Sequence, residues 1–206
     1  PLSTSGRVLT IFIIIFGIFS AGHTISTLLR MLIEGEIQKT YERRRMEKKI
    51  AELRDHYIIF GFGRIGGWVC QELRAQKKDF VIIDRDPEVI KNLEKLGYLY
   101  LPLDASSDDA LLAAGIRYAK AIVPAVSSDA DNVYITLTAR GLRPDIFIVA
   151  RSSSESSETK LKRAGATKVV SPYYIGGKRM AQVLLRPTVV DFIDIATMNG
   201  NLGLIM

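Results

Sequence analysis

The sequence predicts an α/β protein: a parallel sheet covered by helices on both faces, attached to one helix that crosses a membrane. Three observations carry the prediction. A glycine-rich turn follows directly on an apolar run at residues 57–66. Five further short apolar runs alternate with helical stretches behind it. A 26-residue apolar segment lies ahead of it, at residues 8–33.

The turn lies in "HYIIFGFGRIGG" (residues 56–67), which supplies Gly61-x-Gly63-x-x-Gly66. A lone match to that spacing says little, but the flanking sequence is what the chemistry needs. Residues 57–60 read as a buried parallel strand, and 64–76 as a helix with Ile65, Val69 and Leu73 on one face. A second strand, "DFVIIDRD", runs into Asp84, 18 residues past Gly66. In such a unit Gly61 permits the tight turn, and Gly63 lets the backbone approach a pyrophosphate held by amides at the helix N-terminus. Gly66 lets helix and strand pack closely, while the Asp84 carboxylate accepts hydrogen bonds from an adenosine ribose. Phe62, Arg64 and Ile65 complete the candidate turn. An acid at 84 disfavours the 2′-phosphate of NADP, and neighbouring Arg85 weakens that exclusion. The plain alternative is a dinucleotide fold whose site has decayed and stays empty.

The alternation continues along the chain. Helix 87–97 leads to strand 98–104, helix 107–115 to strand 119–126, helix 129–141 to strand 145–151, and helix 156–166 to a short strand 168–171. These strands are continuous apolar runs, as sheets covered on both faces require. Six strands with five intervening helices make a Rossmann-like, doubly wound sheet of order 3-2-1-4-5-6. Asp104 and Ser127 then fall at the carboxyl ends of the third and fourth strands, beside the switch point where ligands bind. Ordinary loop capping would place the same residue types there.

In the N-terminal segment 8–33 only His23 and Arg30 are ionisable. About 20 helical residues cross the hydrocarbon core, so this run is long enough to cross with tilt. A cleaved signal peptide is one rival reading, since Arg7 precedes the run and Ser20, Ala21 and Gly22 could pass for a cleavage site. The cofactor fold that follows, with its single thiol, argues against it, and a chain opening on Pro1 reads as a piece of something longer. A buried core helix is the other rival, but the sequence offers no partner helices to cover it. Between Lys39 and Lys49 stand six basic residues against two acidic ones. Positive charge just beyond a span marks the cytoplasmic side, so the bulk of the chain is expected in the cytoplasm and the protein in the cell (inner) membrane. The charged stretch itself reads as a solvated helical connector.

The net charge is +6. The basic residues cluster between Arg30 and Arg54 instead of forming a stripe interleaved with aromatics, which argues against a nucleic-acid partner. Cys70 is the one cysteine, so an intrachain disulfide and a CxxC metal site are excluded, and it reads as a small packing residue. With His23 and His56 as the only histidines, a histidine-built metal centre is not expected. Catalysis is not expected either. Residues 172–206 hold no histidine and no arranged Cys/His or Ser/Lys pair. Tyr174 and Lys178 match a Tyr/Lys spacing of short-chain dehydrogenases, yet they follow the last strand and do not lie in a long helix after the fourth. Residues 176–192 read instead as a long helix interrupted at Pro187, with apolar Met180, Val183, Leu184 and Val190, and Ile193 just beyond. Such a helix would serve as a crossover or dimer-contact arm.

Taken together, "HYIIFGFGRIGG", "VIIDRDPE", "LDASSDDALLAAGI", "VPAVSSDADNVYITLTAR", "IVARSSSE" and "KLKRAGATKVVSPYYIGGKRMA" resemble the RCK (regulator of K⁺ conductance, TrkA-N type) domain of prokaryotic ligand-gated potassium channels. The resemblance covers roughly residues 55–197 and is most specific in the block 163–181, which general Rossmann enzymes lack. "PLSTSGR" before the apolar rod is similar to the residues that follow a potassium selectivity filter and lead into the pore-lining inner helix. The filter itself, whose carbonyls replace the ion's water shell, is not within these 206 residues, and neither is the outer helix. The resemblance implies the end of a pore loop and an inner helix at 1–33, a charged linker at 34–55 and an RCK N-lobe at 56–172. A crossover or dimer helix at 173–195 and the opening of a C-terminal lobe at 196–206 would follow. It further implies a homotetramer with RCK–RCK dimer contacts, K⁺ as the conducted ion, an adenine nucleotide as the gating ligand, and Gly17 or Gly22 as a hinge. NAD, as NAD⁺ or NADH, is the first cofactor expected, with ADP and ATP as alternatives and Ca²⁺ acting through the C-terminal lobe. A regulatory domain of another K⁺ transporter or a cation antiporter is the alternative function, and a membrane-anchored oxidoreductase a lesser one.

Overall fold

The computed structural model describes residues 4–186, those of 4, 5, 7, 9 and 28–43 by their backbone alone. Residues 1–3 and 187–206 lie outside it, and with them the expected interruption at Pro187, the apolar positions Val190 and Ile193, and the start of the C-terminal lobe. The chain divides into two units between Lys48 and Lys49.

The first unit is helix α1 (Thr4–Glu52), whose last four residues belong to the second unit. Its 49 residues span roughly 73 Å at 1.5 Å per residue. The helix passes unbroken from the apolar segment into the charged one, so the boundary at residues 33 and 34 is a change of composition only. From Thr10 to Thr27 the mean hydropathy is 1.6 and no residue is buried. By length and composition this one helix can cross a membrane. Three of its hydroxyls are satisfied from within: Thr10, Thr24 and Thr27 each donate to the carbonyl four residues earlier, at 2.9 Å. Such back-bonding removes free polar groups from an apolar surface. Gly17 and Gly22 continue the helix, and a Cβ at either would meet nothing within 4 Å.

The second unit is a six-stranded parallel sheet. Its strands are β1 (Tyr57–Phe60), β2 (Phe80–Ile83), β3 (Tyr100–Leu101), β4 (Ala121–Pro124), β5 (Phe147–Arg151) and β6 (Lys168–Val170), in the order β3-β2-β1-β4-β5-β6. This is the expected doubly wound order. Tyr57 stands opposite Phe80 on one side and Ala121 on the other. The crossovers are α2 (Arg64–Ala75), α3 (Pro87–Leu96), α4 (Asp108–Ala113) with a 3₁₀ turn at Ile116–Tyr118, α5 (Asp129–Leu142) and α6 (Glu155–Arg163). Asp86, Ser107, Ser128 and Ser154 cap α3 to α6 through their side-chain oxygens, which explains the acid- and serine-rich stretches ahead of those helices. The continuous apolar runs become the core: Ile58, Ile59, Phe60, Val81, Ile82 and Ile83 are fully buried.

Two elements differ from their sequence reading. The strand expected at 98–104 pairs only at Tyr100–Leu101, on the edge of the sheet. Tyr98 instead joins the core, edge-on to Phe80 and Phe62 with centroids 5.2 and 5.9 Å away. The last described helix, α7 (Pro172–Leu185), starts earlier than the expected 176, with a proline in its first turn. None of its residues is buried.

The RAGA block has a structural cause. The Arg140 guanidinium donates to Gly165 O (2.8 Å), Pro144 O (2.7 Å), Ile146 O (2.6 Å) and Thr167 Oγ1 (3.0 Å). It thereby ties α5 to the turn between α6 and β6. Gly165 sits at φ +101, and a Cβ there would come within 2.9 Å of Arg140 Cγ. Only glycine fits that turn without strain.

Candidate functional site

A cavity of about 430 Å³ opens at the carboxyl edge of the sheet, where β1 and β4 diverge to opposite halves of the strand order. Its floor is the glycine turn, and the three glycines there do different work. Gly61 adopts φ +87 and lies against Val126, whose Cα a Cβ at 61 would approach to 3.1 Å. At Gly66 a Cβ would lie 2.0 Å from Gly61 O, so any side chain would drive α2 off the turn. At Gly63 a Cβ would meet nothing within 4 Å. The protein leaves open space there, over the first turn of α2, whose amides have no intrahelical acceptors.

One end of the cavity is acidic and pinned. Asp84 Oδ2 accepts from the Phe62 amide (2.8 Å) and Oδ1 from the Asp86 amide (3.0 Å). An ionised carboxylate has about four acceptor positions, so these bonds fix its orientation and leave room for a hydroxyl donor. Beside it, Asp104 Oδ1 accepts from the Ser106 amide (2.9 Å) and hydroxyl (2.6 Å), and Oδ2 from Arg85 Nη1 (2.6 Å). The Ser106 bonds, then Arg85, hold the Asp104 carboxyl below its usual range. The Arg85–Asp104 pair is exposed and contributes little to stability, but it occupies the arginine that could have met a 2′-phosphate.

The other end is cationic. Arg64, the first residue of α2, donates through Nη2 to Tyr173 Oη at 2.7 Å. Arg151, at the end of β5, is held by Val126 O (2.7 Å) and Ser153 Oγ (3.0 Å). Its Nε is buried with no hydrogen-bond partner. Asn132 braces this end: Oδ1 accepts from the Val126 amide, and Nδ2 donates to Val126 O and Arg151 O. Buried polar groups that are fully paired in this way fix a single geometry. The arrangement suits an anion with a hydroxyl-bearing neighbour: guanidinium groups and helix amides at one end, an oriented carboxylate at the other.

Residues 57–172 match the TrkA-N domain family. This chain belongs to the TrkA-N (RCK) family. It is 39% identical over 197 residues to the probable potassium channel protein 2 of Methanocaldococcus jannaschii, a match covering 94% of this chain and 57% of that protein. The chain thus spans less than two thirds of the length of the curated relatives it matches. Among solved structures, the GsuK channel is 31% identical with a TM-score of 0.59, covering 67% of this chain and 25% of that one. The Kef CTD of Shewanella denitrificans, in its AMP-bound form, is 26% identical with a TM-score of 0.58, covering 72% and 94%.

In this TrkA-N domain the cavity gathers eight of the residues singled out from sequence: Gly61, Gly63, Arg64, Ile65, Asp84, Arg85, Asp104 and Ser127. Phe62 and Gly66 do not line it. The Phe62 amide is taken by Asp84 and its ring packs on Tyr98, while Gly66 supports the turn from behind. Sequence reasoning missed Ser106, Val126, Asp131, Arg151 and Tyr173. Cys70 and His56, also singled out from the sequence, lie elsewhere. Cys70 is buried in α2, where burial pushes its thiol up to about 12. His56 is buried at the start of β1.

Proposed function

We propose that this chain is the nucleotide-sensing part of a tetrameric potassium channel, in which an adenine nucleotide in the cavity shifts a K⁺ gate through α1. The observation that most supports this is one chain carrying both an open, two-ended cavity at the switch point of its sheet and a wholly exposed apolar stretch in α1. The α2 amides, with Gly61, Gly63, Arg64 and Ile65 around them, would hold the phosphates. Asp84 would hold the adenosine ribose, Phe62 and Gly66 would shape the turn, and Arg85, Asp104 and Ser127 would close the sides. NAD, oxidised or reduced, is the first ligand to test, then ADP and ATP. The AMP-bound Kef CTD supports an adenine nucleotide in general and does not choose among them. Ca²⁺ would act through the C-terminal lobe. The site senses and does not catalyse: its role is to bind two gate conformations unequally.

The whole would be a homotetramer in the cell membrane. Residues 1–33 would complete a multi-pass pore, 34–55 link it to the sensor at 56–172, 173–195 make RCK–RCK dimer contacts, and 196–206 open the C-terminal lobe. A tenfold preference for one gate state amounts to about 1.4 kcal/mol per site, so four sites together supply roughly 5.5 kcal/mol, enough to turn a mostly closed pore mostly open. Calorimetry on the chain in detergent with NAD⁺, NADH, AMP, ADP and ATP should show saturable binding of at least one. Asp84→Asn should weaken it about tenfold with the fold intact. Failure of all five, or binding indifferent to Asp84→Asn, would move the ligand out of this cavity. K⁺ flux through the reconstituted full-length protein that ignores the bound nucleotide would end the gating reading.

A further inference from the structure

Tyr173 stands between two cations at the mouth of the cavity. It is the second residue of α7, after Pro172. Its hydroxyl accepts a 2.7 Å hydrogen bond from Arg64 Nη2, and the guanidinium carbons of Arg64 and Arg151 lie 5.7 and 5.5 Å from its ring centroid. Tyr173 is 48% exposed and α7 buries none of its residues, so little apolar packing holds this turn down. The guanidinium that bonds Tyr173 belongs to the first residue of α2, beside the amides where an anion would sit.

We propose that Tyr173 is a ligand-displaced latch: a phosphate at the α2 N-terminus draws the Arg64 guanidinium off the Tyr173 hydroxyl and so frees the first turn of α7. This rests on the nucleotide reading above and adds the place where occupancy is first felt outside the cavity. A phosphate carries full charge and accepts two parallel bonds from a planar guanidinium, whereas the neutral phenol oxygen accepts one. Arg151 cannot follow Arg64, because Val126 O and Ser153 Oγ hold both of its terminal nitrogens. One of the two cations at the ring therefore leaves and the other stays. Because the ligand must open the latch, the same bond that restrains α7 in the empty chain lowers the affinity for nucleotide, and the coupling is reciprocal.

Tyr173→Phe tests this by keeping the ring between the cations and removing only the hydroxyl. With NAD⁺ and ADP as probes on the full chain in detergent, Tyr173→Phe should bind about three- to fivefold more tightly than wild type, the equivalent of one net hydrogen bond. Hydrogen exchange of the first two turns of α7 should speed up in wild type when nucleotide is added. In Tyr173→Phe it should be fast already and unchanged by nucleotide. Equal or weaker binding by Tyr173→Phe, or α7 exchange in wild type that ignores nucleotide, overturns the latch and leaves the nucleotide site standing, since the Asp84→Asn loss reports that site separately. A wild type that binds none of the five nucleotides overturns the nucleotide reading and the latch with it; where it binds another of the five in place of NAD⁺ and ADP, that nucleotide is the probe.

Discussion

Ile59 and Ile14 are the same side chain in two circumstances. Ile59, in the central strand β1, has no exposed surface and is packed among Cys70, Phe80, Ile82, Leu93 and Tyr98. Ile14, in α1, is 54% exposed, and so are its neighbours from Thr10 to Thr27 to a similar degree. Burying an isoleucine is worth about 1.5–3 kcal/mol relative to leaving it in water. The sheet unit recovers that energy from its own chain, through parallel neighbours on both sides and helices above and below. The α1 segment must recover it from its surroundings, which is why its apolarity is a statement about solvent and not about fold. Damage to the sheet unit should therefore appear as unfolding, and damage to α1 as a change in an equilibrium between conformations.

The largest effect expected comes from the glycine turn, where two neighbouring glycines should separate fold from ligand. Gly66→Ala places a Cβ 2.0 Å from a backbone oxygen and 3.1 Å from its carbon, neither of which can swing aside. It should destabilise the sheet unit by about 3 kcal/mol or more, while α1 in detergent keeps its helical circular-dichroism signal. Gly63→Ala meets open space. It should leave the urea midpoint nearly unchanged and yet weaken nucleotide binding at least tenfold, because its methyl fills the space over the α2 amides. Two variants of equal stability, or a Gly63→Ala chain that binds normally, would dissolve the distinction between packing glycine and approach glycine.

A smaller effect should come from His56, the buried base of the sheet unit. Its Nε2–H donates to Ala114 O at 2.8 Å, and its Nδ1 is buried with no partner. Burial lowers its pKa below the ordinary 6.5, only partly opposed by the Ala114 bond and by the charge of Asp79. Protonation would bury a charge and an unpaired N–H together. With the folded pKa depressed, the unfolded chain takes up the proton first. Stability is then complete above about pH 6.5 and is lost as pH falls below it, at no more than about 1.4 kcal/mol per pH unit. Thermal melts between pH 7.5 and 5 should show this slope, and His56→Gln should start lower but flatten it. An unchanged slope in His56→Gln would assign the acid sensitivity to other groups.

What was legible in the sequence follows from the same contrast. Continuous apolar runs and the glycine spacing are local signals, so the strand order and eight cavity residues could be read from them. Arg151 ends β5 as Asp104 follows β3, so the strand-end rule that picked Asp104 extends to it. Tyr173 had no such signal. It reaches the cavity only because the sheet brings α7 back over α2, 109 residues away in sequence from Arg64. Phe62 was assigned to the site by adjacency, but its ring packs on the core against Tyr98.

The smallest effect belongs to α1, and it is the one that tests whether that helix bends. Gly17 and Gly22 both lie within continuous helix, and neither has anything within 4 Å of where a Cβ would stand. Alanine at either position therefore adds no clash and favours the straight helix by about 1 kcal/mol. In a pore whose gate requires α1 to bend at that residue, the bent population should fall about fivefold per helix for the same ligand concentration. Single-channel open probability of the full-length protein, measured for Gly17→Ala and Gly22→Ala separately, would show which glycine is used, since only the hinge position should respond. The sheet unit should keep its nucleotide affinity once the gating equilibrium is accounted for, because neither substitution touches it. If both variants gate like wild type, α1 bends at neither glycine and passes both as a rigid rod.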